Sequence, residues 1–250
     1  MESIDLKYSD GTTPDVKGII FDYGGTLDSR GIHWSEVIWD GYVDAGLNQF
    51  IAKEQYRDAY VEAERELARV RHIMPNDDFL ALMRKKIAIQ FKALRNQGAA
   101  LSDSAADAIA VYCDRRARRC IEEARPTLET LAQRFPMMLV SNFYGNIDSV
   151  LRAYDIRQYF KGIIESSVVG IRKPNPTLFR LAVDALELPP EQVLVVGDSL
   201  HKDIKPAEAL GCRVLWLKGK GWNPADDALT HPNVITLVSQ VLDYITSTQP

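Results

Sequence analysis

The stretch Gly18-Ile19-Ile20-Phe21-Asp22-Tyr23-Gly24-Gly25-Thr26-Leu27-Asp28 sets a short apolar run directly before an aspartate and a pair of glycines. That pattern predicts a buried strand over 18–22 that delivers Asp22 into a turn. The same wording recurs downstream. Leu139-Val140 leads into Ser141-Asn142, and the run from Val193 to Val196 leads into Gly197-Asp198-Ser199, with Asp203 five residues beyond. Further short strands are predicted near Ile163 and over 214–217. Helices are predicted over 147–154, 176–186, 204–210 and 238–245, with one more opened by Pro126. Strand alternating with helix predicts an α/β fold: a doubly wound parallel sheet with a Rossmann-like core and right-handed crossovers. Ligands of such sheets bind beyond the carboxyl ends of the strands.

Between the first two strands the texture changes. Tyr56, Ala59, Ala63, Leu67 and Val70 recur at helical spacing, as do Leu80, Met83, Ile87, Phe91 and Leu94. A third stripe, Ile109, Cys113, Cys120 and Ile121, follows the cap candidate Ser102, and a shorter helix is expected over 34–43. These amphipathic stripes can bury against one another, so the reading is an inserted all-helical domain over residues 32–125. The α/β core would then comprise 1–31 and 126–250, with hinges near Ser29 to Ile32 and at Arg125-Pro126.

Composition narrows the function classes. The chain has 250 residues, 46% apolar and 26% charged, which excludes a disordered or fibrous chain. No apolar run approaches the roughly 18 residues of a membrane span, and Met1 to Asp15 holds no apolar signal segment. With three cysteines, and Cys113 and Cys120 spaced wrongly for a disulfide or a metal pair, the expectation is reduced thiols and a cytoplasmic location. Net charge is −4, and the helical insert is balanced at 15 basic and 15 acidic side chains. No broad basic face for nucleic acid is expected. The cluster Arg115, Arg116, Arg118, Arg119, beside Glu122 and Glu123, reads as a solvated helix face. Oligomeric state is left open.

Lys173-Pro174, in the loop from Gly170 to Pro176, completes a set of polar groups able to converge above the sheet: Asp22, Ser141, Lys173 and Asp198. In order and wording this set resembles the haloacid dehalogenase (HAD) superfamily of aspartate-nucleophile hydrolases, in its magnesium-dependent, phosphatase-like branch with a helical C1 cap. The resemblance implies Asp22 as nucleophile, Ser141 and Lys173 as phosphate holders, and Asn142 and Gly25 beside them. It implies a Mg²⁺ site of Asp22, the Gly24 carbonyl and Asp198, with Asp203 in the outer shell or the direct ligand set. The expected substrate is a small phosphorylated metabolite, cleaved through an aspartyl-phosphate. A cation suits this chemistry, because a dianionic phosphoryl group repels a bare carboxylate.

One position departs from the pattern. Phosphatases of this family usually carry a second Asp two residues after the nucleophile as general acid and base; here that residue is Gly24. His33, Asp28 or Tyr23 could stand in. Alternatively the chain cleaves carbon–phosphorus bonds with an insert lysine, although Lys53, Lys85, Lys86 and Lys92 all read as exposed helix lysines, or it binds a phospho-ligand or a partner protein through the insert with impaired catalysis. Phe143 and Tyr144 are candidate pocket residues.

Overall fold

The computed structural model describes residues 15–246. The expectation about a signal segment therefore falls, but for Asp15, outside the described residues. Strands β1 (Gly18–Phe21), β2 (Met137–Ser141), β3 (Gly162–Glu165), β4 (Val193–Gly197), β5 (Arg213–Leu217) and β6 (Val234–Ile235) form one sheet in the order β3-β2-β1-β4-β5-β6. Every pairing is parallel. The order reverses beside β1, so the crevice between β1 and β4 is the topological switch point at which ligands bind in such sheets.

Helices α1 (Trp34–Asp44), α2 (Lys53–Arg69), α3 (Phe79–Asn96) and α4 (Asp103–Ala132) all lie between β1 and β2. The remainder, α5 (Ile147–Ala153), α6 (Ser166–Val169), α7 (Thr177–Leu186), α8 (Lys205–Ala209), α9 (Pro224–Asp227) and α10 (Gln240–Thr246), follow β2. Several helix starts are fixed by side chains that accept an otherwise orphaned N–H, those of α3 and α4 among them. Asp78 accepts from Ala81 N (2.8 Å) at α3, and Ser102 accepts from Ala105 N (3.2 Å) at α4.

The inner strands β1, β2 and β4 are buried on both faces, and their alternation sorts the core into two layers. Ile19, Phe21, Leu139, Val196 and Leu217 face one layer, which continues without a break into the stripes of α1 to α4. Ile20, Val140, Val195 and Val214 face the other, closed by Leu178 and Phe179 of α7 and Ala207 of α8.

One expectation needs correction. Pro126 does not open a helix; it lies inside the 30-residue α4. A proline there costs about 3 kcal/mol, but Ala124, Thr127, Leu128 and Leu131 continue the buried stripe of Cys113, Ala117 and Cys120, and that burial carries the helix through. The expected hinge at Arg125-Pro126 lies within this helix. The helix expected over 204–210 is preceded by a π-helical turn, Leu200–Ile204, that contains Asp203. β6 was not foreseen, because two residues carry no periodicity.

Candidate active site

Asp22 leaves β1 with its N–H donating to Val196 O of β4 (2.9 Å), so the chains that carry Asp22 and Asp198 leave the sheet side by side. Thr26, four residues on, donates through Oγ1 to Asp22 Oδ2 (3.0 Å) and lies 3.3 Å from Asp198 Oδ1. Lys173 Nζ bridges Asp22 Oδ1 (2.6 Å) and Asp203 Oδ1 (2.7 Å), and Asp203 Oδ2 accepts from Ser199 N (3.0 Å). Trp216 Nε1 holds the Asp198 carbonyl (2.6 Å). The close approach of these segments depends on two glycines. A Cβ on Gly25, whose φ is +98°, would lie 2.3 Å from the Asp198 carboxylate, and one on Gly197 would lie 2.4 Å from Asp203 Cβ.

Electrostatics follow from burial. Desolvation pushes the Asp22 carboxyl above its ordinary range; the Lys173 ammonium opposes this and the Asp203 charge adds to it. Asp198 is pushed well above by burial and by the charges of Asp203 and Asp22. Burial alone would lower Lys173, but Asp203 and Asp22 outweigh it and hold the ammonium above its usual range. Among the described residues, Asp22, Asp198 and Asp203 each bring a carboxylate oxygen within 4.8 Å of the others. Three carboxylates facing one ammonium leave a deficit of positive charge, and the donors are hard oxygens, so the set fits Mg²⁺. Gly24 lines the same cavity.

That cavity, about 730 Å³, opens above the strand ends and extends beneath α2 and α3. Ser141, Asn142, Phe143 and Tyr144 all line it. Two residues expected on phosphate have other partners. Asn142 clamps the backbone that carries Lys173, accepting from Lys173 N (2.9 Å) and donating to Lys173 O (3.2 Å). Gly25 N donates to Asp28 Oδ1 (2.7 Å), closing the turn. Asn142→Ala is therefore expected to lower kcat about 100-fold, since a misplacement of about 1 Å costs that much. Steady-state kinetics beside a thermal melt check it; a pure KM effect would instead place Asn142 on the substrate.

Among the stand-ins for the missing acid and base, Tyr23 is fully buried against Phe143 and is not a cavity residue. His33 caps α1, its Nδ1 accepting from Ser35 N (3.2 Å), and burial lowers its pKa to about 4, so at neutral pH it is uncharged with its proton on Nε2. Asp28 lines the cavity and accepts from Gly25 N and from Trp34 Nε1 (3.0 Å). Burial nevertheless raises its carboxyl to about 7.

Lys86 corrects the sequence reading: it is buried, lines the cavity and pairs with Glu64 of α2. Burial would favour its neutral form, but the Glu64 carboxylate outweighs that and holds the ammonium protonated. An imine-forming lysine needs the opposite. Thr26 and Glu64 are site residues that sequence reasoning missed, and Lys86 was named there only as an exposed lysine. Thr26 stands in the same turn as Asp22, whereas the other two meet only in the fold.

The comparisons agree with this geometry. Residues 16–211 match the family model of haloacid dehalogenase-like hydrolases. The chain belongs to this family. Its relatives include the phosphoserine phosphatase of Thermus thermophilus, 31% identical over 54% of this chain and 55% of that protein. The phosphoglycolate phosphatase of Escherichia coli is 36% identical over 42% of this chain and 41% of that protein. The chain thus spans about half the length, or less, of the curated relatives it matches. Among solved structures, a dehalogenase with an intermediate complex superposes at a TM-score of 0.60, with 16% identity over 94% of this chain and 99% of that one. The magnesium-bound HAD hydrolase YfnB of Bacillus subtilis superposes at 0.57, with 19% identity over 92% of this chain and 98% of that one. At these identities the structures establish the shared HAD fold.

Proposed function

We propose that this HAD hydrolase is a magnesium-dependent phosphatase that releases phosphate from a small phosphorylated metabolite through an aspartyl-phosphate on Asp22. The observation that carries the reading is the Lys173 ammonium, held 2.6 Å from Asp22 and 2.7 Å from Asp203 beside Asp198, at the strand ends beneath the cavity. Relatives named phosphatases, and a magnesium-bound structural neighbour, support it. The same proposal takes residues 32–125 as the cap and the rest as the core, with the boundary at Pro126 inside α4, and places the protein in the cytoplasm.

Asp22, the Gly24 carbonyl and Asp198, with Asp203 in the direct set or the outer shell, would hold Mg²⁺, which would supply positive charge to screen the phosphoryl group. One carboxylate oxygen of Asp22 attacks phosphorus while Thr26 and Lys173 orient the group. Lys173 takes up negative charge on the phosphoryl oxygens, and the Ser141 hydroxyl donates to one of them. The alkoxide leaves into the cavity, and water then displaces phosphate from Asp22. Of the available groups Asp28, at about 7, has the pKa suited to supplying and recovering the proton.

The test is phosphate release with and without Mg²⁺ over acyl phosphates, p-nitrophenyl phosphate and sugar phosphates. Mg²⁺-dependent release is expected. No release from any of them overturns the reading in favour of a phospho-ligand-binding protein. Nothing lies within 4 Å of a Cβ built on Gly24, so the usual second Asp can be restored without a clash. With Asp28 as the acid, Gly24→Asp is expected to leave turnover of alkyl phosphates within a few-fold of the unmodified chain. A rise of about 100-fold would show instead that no group supplies the proton while residue 24 is glycine.

A further inference from the structure

Above the phosphate site the cavity has two unlike walls. Trp34, Phe79, Leu82 and Met83 make one of them apolar. The other carries Lys86, whose ammonium pairs with Glu64, donates to Tyr144 Oη (3.2 Å) and faces the Tyr60 and Tyr144 rings at 5.0 and 5.7 Å. Tyr144 in turn donates to Glu64 (3.0 Å), and it follows Ser141 by three residues, which sets this cation close to the phosphate-binding strand end.

The two members of the ion pair are not equally fixed. The Lys86 side chain is 5% exposed and the Glu64 side chain 34%. Glu64 can withdraw toward solvent; Lys86 has nowhere to go. Withdrawal leaves a buried ammonium without a counter-charge, which is costly unless another anion replaces the carboxylate. A carboxylate on the bound molecule would reproduce both contacts of Glu64, accepting from Lys86 Nζ and from Tyr144 Oη. A neutral leaving group would reproduce neither.

We propose that Lys86 is a specificity residue that reads a carboxylate on the leaving group, taking in Glu64's place the phosphate esters of hydroxy acids. The proposal rests on the phosphatase reading. Kinetics on 2-phosphoglycolate, 3-phosphoglycerate, ethyl phosphate, 2-aminoethyl phosphate and p-nitrophenyl phosphate test it, with Lys86→Met and Glu64→Gln alongside the unmodified chain.

The carboxylate esters are expected to be preferred over ethyl phosphate, and that ratio of kcat/KM is expected to fall about 100-fold in Lys86→Met. Glu64→Gln is expected to lower KM for the carboxylate esters several-fold, since it removes their competitor. A merely structural ion pair would make both variants worse on every ester. An unchanged ratio in Lys86→Met, a raised KM in Glu64→Gln, or a preference for 2-aminoethyl phosphate would overturn the proposal. Release from p-nitrophenyl phosphate without any carboxylate preference overturns this inference alone, whereas no release from any ester overturns the phosphatase reading and the inference with it.

Discussion

Asp22→Asn is expected to release no phosphate from any ester and yet, in a chelating buffer at pH 8, to resist urea better than the unmodified chain. The two effects have one cause. Asp22 is buried beside Asp203, and its folded pKa lies above the ordinary 3.8 despite the Lys173 ammonium. For a carboxyl raised in this way, its contribution to stability is complete below the unfolded pKa and is lost as pH rises through the folded value. Asn carries no charge and suffers no such loss, while Lys173 keeps Asp203 as partner. The advantage of the variant should be small at pH 4 and grow to about 1 kcal/mol by pH 8, the usual size of a gain made by relaxing a functional site. Mg²⁺ should stabilise the unmodified chain more than the variant, because it binds the folded state through the carboxylate that Asn removes. Urea unfolding at both pH values, with and without Mg²⁺, reads each statement. A variant less stable at pH 8 would mean that the Lys173–Asp22 attraction outweighs the desolvation of Asp22.

Lys173→Met is expected to be the most destabilising single change at the site, about 3–5 kcal/mol at pH 8. Methionine keeps an apolar stem over the Phe179 ring, where the ammonium sits 5.2 Å from the centroid, so the lost charge dominates. Its removal leaves Asp22, Asp198 and Asp203 facing one another with no buried cation between them. Burial already raises the carboxyls of Asp22 and Asp198, so as pH falls these two should take up protons and the deficit should shrink. Mg²⁺ should restore part of it at pH 8 without restoring turnover, because no ammonium remains for the phosphoryl oxygens. Unfolding curves at pH 5 and 8 with phosphate release on the same samples check this; a loss below 1 kcal/mol at pH 8 would mean the three carboxylates relax apart.

The sheet was legible because its signal is local. Ile19-Ile20-Phe21 and Val193 to Val196 are short apolar runs ended by Asp22 and Gly197-Asp198, and the parallel register then sets those ends side by side. Lys173 was legible by chemistry rather than periodicity, since a lysine in a proline-bounded loop after such strands has carboxylates to meet. Lys86 was not. It stands three positions after Met83 and one before Ile87, at the margin of the stripe, but within the charged run Arg84-Lys85-Lys86 its residue type points to the solvated face. Its burial comes from Glu64, 22 positions earlier, and Tyr144, 58 positions later, and no local window contains both. Pro126 misled for the converse reason: a strong local breaker was outweighed by the buried stripe on either side of it.

The unbroken passage of α4 through Pro126 bears on how such proteins can be recombined. A graft that exchanges residues 32–125 between relatives would join the chain at a loop on one side, near Gly31, and in mid-helix on the other. The second junction must preserve helical phase, because one residue gained or lost turns every later side chain by about 100°. Leu128 and Leu131 would then rotate off the core that β1 and β2 share with the helices. Chimaeras that keep α4 whole, with the crossover placed in the 97–102 loop or beyond Ala132, avoid that rotation.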